Sequence, residues 1–205
     1  MMTIKAVIWD LGGVLLRTEN YAPRQYLADR LGVSPDDLEQ LVFSNVSGMS
    51  AQRGEISAEQ HWQTIRRRFG LDDKGLKDFR RDFFAGDILD RELVEYIRTL
   101  RAHYKIGLLS NAFSDLRILL TDRLCIADVF DDLLISAEVG MVKPDKRIYL
   151  LSLERLGVLP EEVVFIDDFM HNIDGARAVN LNAIHFQNPE QVKEDLEAIL
   201  STRSS

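Results

Sequence analysis

Asp10 closes an apolar run and opens a glycine turn, in Ala6-Val7-Ile8-Trp9-Asp10-Leu11-Gly12-Gly13-Val14. A carboxylate at the end of a buried strand, beside a turn tight enough to need two glycines, is placed for chemistry. Three more polar groups follow apolar runs in the same way. Ser110-Asn111 comes directly after Ile106-Gly107-Leu108-Leu109, Lys143 lies in Gly140-Met141-Val142-Lys143-Pro144-Asp145, and Asp167-Asp168 comes directly after Val163-Val164-Phe165-Ile166. Together these types suit phosphoryl transfer. A carboxylate such as Asp10 can attack phosphorus, and Asp10 and Asp168 can share a Mg²⁺, a hard cation that takes oxygen ligands. Ser110 and Asn111 can donate to phosphate oxygens, Lys143 supplies a positive point charge, and the backbone N–H groups of Leu11, Gly12 and Gly13 can complete the cradle.

For four distant sites to act together, their strands must end side by side. Strand-length apolar runs occur at 5–9, 105–109, 132–135, 163–166 and 183–186, several of them apolar on successive residues, as in strands covered on both faces. Helical patterns lie between most of them. Leu93, Tyr96, Ile97 and Leu100 share one helical face, and Asn188-Pro189 starts a last helix with Val192, Leu196, Ile199 and Leu200 inward. Alternating strands and helices predict an α/β, doubly wound (Rossmann-like) parallel sheet, whose ligands bind beyond the carboxyl ends of the strands. From about residue 17 to 87 the rhythm breaks. This stretch shows no convincing strand and reads as helices over 23–31, 34–43, 57–69 and 74–83, punctuated by Gly32, Gly48, Gly54 and Gly70. The expected organisation is therefore a core of residues 1–16 and 88–205 with an all-helical cap, 17–87, inserted over the site.

Composition bounds the rest. The 205 residues are 46% hydrophobic and 28% charged, an ordinary globular balance, and no apolar run approaches a bilayer span. Met1-Met2-Thr3-Ile4-Lys5 leads straight into the first strand, so no signal peptide is read. The net charge of −8 argues against nucleic acid as a partner. A lone cysteine, Cys125, rules out an intramolecular disulfide, fits a reducing cytoplasm and is expected to be a small buried hydrophobe. The partner is then a small phosphorylated molecule, with neither nucleic acid nor membrane, and the chain a monomer or homodimer. Arg66-Arg67-Arg68 reads as a solvated helix face, Trp9 as packing, the tail 201–205 as frayed, and Arg17 or Arg24 as a possible substrate contact from the cap entrance. His171, beside Asp167-Asp168, and Arg53 and His61 in the cap are lesser candidates of the same kind.

The motif order resembles the haloacid dehalogenase superfamily over nearly the whole chain. Asp10-Leu11-Gly12-Gly13-Val14 is similar to its first motif, Ser110-Asn111 to the second, Lys143-Pro144 to the third and Asp167-Asp168-Phe169-Met170-His171-Asn172 to the fourth. The glycine after Asp-Leu-Gly, Gly13, and the cap stretch Arg53 to Trp62 look closest to sugar-phosphate phosphatases of the glucose-1-phosphate type and to epoxide hydrolase N-terminal domains. The resemblance implies Asp10 as nucleophile, with Mg²⁺ on Asp10, the Gly12 carbonyl and Asp168. It implies Ser110 and Lys143 on the phosphate, with Asp167 and Asn172 orienting the metal site from behind. The implied activity is a Mg²⁺-dependent phosphatase of a small phosphorylated metabolite such as a sugar phosphate. The chain departs from the pattern at Gly12, where most phosphatases of the superfamily carry an acid/base Asp, a group worth roughly 10²–10⁴-fold in rate. The alternative is therefore a phosphate-binding or regulatory relative of low turnover. A metal-free 2-haloacid dehalogenase ranks third.

Overall fold

The structure is a computed structural model and describes residues 3–202. Seven strands are present among them: β1 (Ala6–Trp9), β2 (Leu16–Thr18), β3 (Asp87–Leu89), β4 (Lys105–Ser110), β5 (Asp132–Ile135), β6 (Val163–Asp167) and β7 (Asn182–His185). Five make one all-parallel sheet in the order β5-β4-β1-β6-β7. β1 is central, with Trp9 opposite both Leu108 of β4 and Ile166 of β6, so the ends of these three strands are level.

The apolar runs explain this sheet. Alternate residues of a strand face opposite sides. Val7 and Trp9 of β1 join Ile106, Leu108, Val164 and Ile166 in one buried cluster, and Ala6 and Ile8 join Leu109, Leu134, Val163 and Phe165 in another. Trp9 is fully buried, which makes it packing. The first cluster is closed by α6 (Arg91–Leu100) and α11 (Pro189–Thr202), the second by α9 (Lys146–Leu156) and α10 (Met170–Arg177). The side chain of Asn188 accepts from the Gln191 amide at the start of α11. That helix runs through Ser201 and Thr202, where fraying was expected; residues 203–205 and Met1-Met2 lie outside the described residues.

Residues 22–84 are helical: α1 (Ala22–Leu31), α2 (Pro35–Glu39) continuing as a π turn (Gln40–Ser44), α3 (Val46–Gln52), α4 (Ala58–Phe69) and α5 (Asp73–Phe84). They have their own apolar cluster, including Leu27, Leu38, Val42, Trp62, Ile65, Phe79 and Phe83. The Ser57–Gln60 capping box starts α4, whose last-turn Arg66 pairs with Asp73. Two features differ from expectation. α3 is an additional helix, and the antiparallel pair β2–β3 frames the entry to and exit from the helical segment, which the sequence showed without strands. Three-residue strands of mixed composition leave no alternating pattern to read.

Cys125 also corrects the expectation of burial. It is exposed and has a left-handed φ of 54°, in a turn where Leu120 and Ile126 take the buried places instead. The short helices α7 (Leu116–Ile118) and α8 (Ser136–Val139) complete the core. No helix among the described residues is long and apolar enough to cross a membrane.

Candidate active site

The level ends of β4, β1 and β6 deliver Ser110, Asp10 and Asp167-Asp168 to one edge of the sheet. Lys143 arrives from the loop after α8. Its Nζ lies between two carboxylates, 2.9 Å from Asp10 Oδ1 and 2.6 Å from Asp167 Oδ2. All three groups are buried. The lysine loop is held by Asn111, whose Nδ2 donates to the Lys143 carbonyl at 2.9 Å and whose Oδ1 accepts from the Lys143 amide at 2.8 Å. The Asn111 side chain thus braces the lysine.

Asp167 is the hub on the other side. Besides Lys143, it accepts from the Phe169 amide at 2.8 Å and from Asn172 Nδ2 at 2.9 and 3.1 Å. Tyr149, which no sequence signal singled out, donates to the Asn172 carbonyl at 2.9 Å. His185 Nε2 meets the Asp168 carbonyl at 2.9 Å and ties β7 to the same loop.

The turn after Asp10 is closed by its own backbone. The Leu11 amide donates to Asp10 Oδ1 at 2.7 Å, and the Gly13 amide donates to the Leu16 carbonyl at 3.0 Å. Of the three turn amides, Gly12 alone finds no protein acceptor among the described residues. Gly13 has a φ of +76°, and a Cβ there would sit 2.0 Å from Asp168 Oδ2. Only a glycine lets that carboxylate reach over the turn. Gly12 is the reverse case, with nothing within 4 Å of an added Cβ.

Three carboxylates, Asp10, Asp167 and Asp168, place ligand oxygens within 4.8 Å of one another. Burial pushes the Asp10 carboxyl up to about 7; Asp167 and Asp168 add to the rise, and Lys143 opposes it. Asp168 rises to about 6, through burial first and then Asp167. Burial works against the Lys143 ammonium, but Asp10 and Asp167 outweigh it and raise its pKa. One ammonium thus faces three acids. Asp168 Oδ1 is buried with no hydrogen-bond partner. An orphaned buried carboxylate oxygen amid excess negative charge fits a hard divalent cation such as Mg²⁺, which Asp10 and Asp168 could hold.

Other candidates lie elsewhere. Arg17 donates to the Val14 carbonyl at 2.7 Å and pairs with Asp90 at 2.9 Å, and Arg24 is buried against Phe83. Both are committed to the join between core and helical segment. His61 is fully buried, the Arg53 guanidinium lies 3.9 Å from Glu55, and His171 is exposed beside the Phe169 ring.

The model of the haloacid dehalogenase-like hydrolases matches residues 4–180. The chain belongs to that family. Members resemble it at different lengths. Bifunctional epoxide hydrolase 2 of Rattus norvegicus is 36% identical over 44% of this chain and 16% of its own. A phosphorylated carbohydrates phosphatase of Thermotoga maritima is 25% identical over 89% of this chain and 84% of its own. The chain spans between 7% and 37% of the length of four of the curated relatives it matches, the epoxide hydrolases among them. In three dimensions, a HAD family enzyme of Bacteroides thetaiotaomicron, solved with magnesium and inorganic phosphate, superposes with a TM-score of 0.76. It shares 21% identity over 90% of this chain and 94% of its own, a likeness of fold.

Proposed function

We propose that this haloacid dehalogenase-like hydrolase cleaves the phosphate monoester of a small metabolite through an aspartyl-phosphate on Asp10, with Mg²⁺ as cofactor. The observation that carries the reading is Lys143 Nζ, buried between Asp10 and Asp167 while Asp168 keeps an unpartnered oxygen. Asp10 Oδ1 is already engaged by Lys143 and the Leu11 amide, which leaves Oδ2 as the attacking atom. The ammonium and the Gly12 amide then face the anionic phosphoryl oxygens, and the Ser110 hydroxyl adds a donor from the end of β4. Asp167 and Asn172 hold Lys143 and the Asp168 loop in place. Asp10 and Asp168 would hold the Mg²⁺, which would supply charge neutralisation for the phosphate.

Gly12 shapes the substrate. With no acid at this position, the leaving oxygen must depart without a proton from the turn. Phosphates with good leaving groups, such as anomeric sugar phosphates, then react best. The Thermotoga maritima relative named for phosphorylated carbohydrates supports that class.

Phosphate release from a panel of aryl, anomeric and alkyl phosphates tests the reading. Expected are Mg²⁺-dependent turnover that falls as the leaving group becomes more basic, and its loss in Asp10→Asn. The open space at Gly12 favours a second reading, binding with little turnover. It is upheld if the wild type binds phosphorylated ligands without cleaving them and Gly12→Asp hydrolyses them.

A further inference from the structure

The loop after β4 touches both the catalytic groups and the helical segment above them. Ser110 and Asn111 start it, and Asn111 carries the Lys143 backbone on two hydrogen bonds. Two residues on, Phe113 leaves the core and enters the apolar cluster of the cap, where it is 7% exposed. Its ring lies 5.0 Å from His61, 5.9 Å from Trp62 and 6.2 Å from Phe43, centroid to centroid. The next residue, Ser114, accepts from the Ala58 amide of the cap at 3.4 Å, and Asp115 pairs with the cap's Arg80 at 3.0 Å. Three consecutive residues of one core loop are therefore cap anchors.

A second contact returns to the same loop. A Cβ on Gly54 of the cap would lie 2.1 Å from the Ala137 carbonyl oxygen of α8. The adjacent Ser136 hydroxyl both accepts from the Ala112 amide, at 2.9 Å, and donates to the Ala112 carbonyl, at 3.2 Å. Cap contact thus reaches residues 110–112 from two directions. By contrast, Asp10, Asp167 and Asp168 sit on the ends of β1 and β6, outside this loop.

We infer that Phe113 is a positioning residue that makes the phosphate half of the site, Ser110 and Lys143, depend on cap docking while the carboxylate half stands without it. The inference rests on the phosphatase reading for its consequence in turnover but not for the coupling itself. A closed cap orders Ser110 and, through Asn111, Lys143. A cap that lifts off pulls on Phe113 and loosens Ser110 and the Lys143 backbone, while Asp10 and Asp167 keep hold of the lysine's Nζ.

The test compares wild type with Phe113→Ala, Phe113→Leu and Asp115→Asn in the full chain. Backbone hydrogen exchange is followed at 141–145 and at 163–168, with inorganic phosphate affinity by calorimetry in Mg²⁺ and p-nitrophenyl phosphate turnover. Phe113→Ala is expected to speed exchange at 141–145 and to weaken phosphate binding by a factor of about ten. Exchange at 163–168 and the Mg²⁺-induced rise in melting temperature should stay as in wild type, and Phe113→Leu should recover most of the loss. If Phe113→Ala does not fold, Phe113→Leu and Asp115→Asn carry the same readouts with smaller shifts in the same direction. A lowered melting temperature with wild-type exchange at 141–145 and wild-type phosphate affinity would overturn the inference. A wild type that hydrolyses nothing, with the exchange coupling intact, would remove the phosphatase reading and uphold the coupling.

Discussion

Two adjacent glycines in the turn after Asp10 do opposite work. Gly13 is held at a φ of +76° with the Asp168 carboxylate where a Cβ would be, whereas Gly12 opens to free space. Gly13→Ala forces a side chain into a left-handed backbone, at a cost of about 1–2 kcal/mol, and also displaces Asp168. It should lower the melting temperature and abolish the stabilisation by Mg²⁺. Gly12→Ala should leave stability within about 0.5 kcal/mol of wild type and keep the Mg²⁺ response. Thermal melts of the two variants with and without Mg²⁺ check the pair, and equal losses in both would refute the assignment of Asp168 to the cation. The glycines were legible in the sequence as a turn. Which of them was indispensable was not, because the reason is a carboxylate 155 residues further along the chain.

At the scale of elements, the join between core and cap is built on two arginines. Arg17 on β2 reaches the core, to the Val14 carbonyl and Asp90, while Arg24 on α1 reaches back from the cap. Arg24 is 6% exposed, lies 4.3 Å over the Phe83 ring and donates to Thr18 of β2 at 3.2 Å, Asp87 of β3 at 3.1 Å and Glu39 of α2. Thr18 also donates to Asp87 at 2.6 Å, so β2, β3 and the cap meet at one guanidinium. Arg24→Met keeps the packing but strands Asp87, whose carboxyl burial already pushes up against the opposing pulls of Thr18 and Arg24. A part-buried carboxylate that loses its guanidinium but keeps its Thr18 bond costs about 1–3 kcal/mol, a loss denaturant titration would read. Arg24→Lys should recover only part of it, since an ammonium cannot reproduce the planar fork. Full recovery by lysine would show the charge alone matters. The five sheet strands were readable because burial on both faces demands continuous apolar runs. β2 and β3 were not, since three-residue strands of mixed composition carry no alternating pattern. α3 was missed because its residues Val-Ser-Gly-Met-Ser-Ala-Gln carry no apolar stripe. Phe113 likewise reads as an ordinary loop aromatic until the cap folds over it.

For the whole molecule, the site is a concentration of unfavourable charge that the fold must support. Asp10 rises from an ordinary 3.8 to about 7 and Asp168 from 3.8 to about 6, burial being the leading cause in both. A carboxyl whose pKa is higher folded than unfolded binds its proton more tightly in the native state. Stability then falls with rising pH, starting near the unfolded value of about 4 and levelling off above the folded value. The metal-free protein should therefore lose stability as pH climbs from about 4 to about 7, through the ionisation of these two acids. A cation bound by the ionised carboxylates competes with those protons, so its stabilisation should run the other way. Melting temperatures at pH 5, 6, 7 and 8, each with chelator and with Mg²⁺, should show a Mg²⁺ increment that is small at pH 5 and largest at pH 8. In Asp168→Asn the increment should vanish, and the decline of the chelated protein with pH should be shallower. A Mg²⁺ increment independent of pH, or one that survives in Asp168→Asn, would place the cation away from these carboxylates.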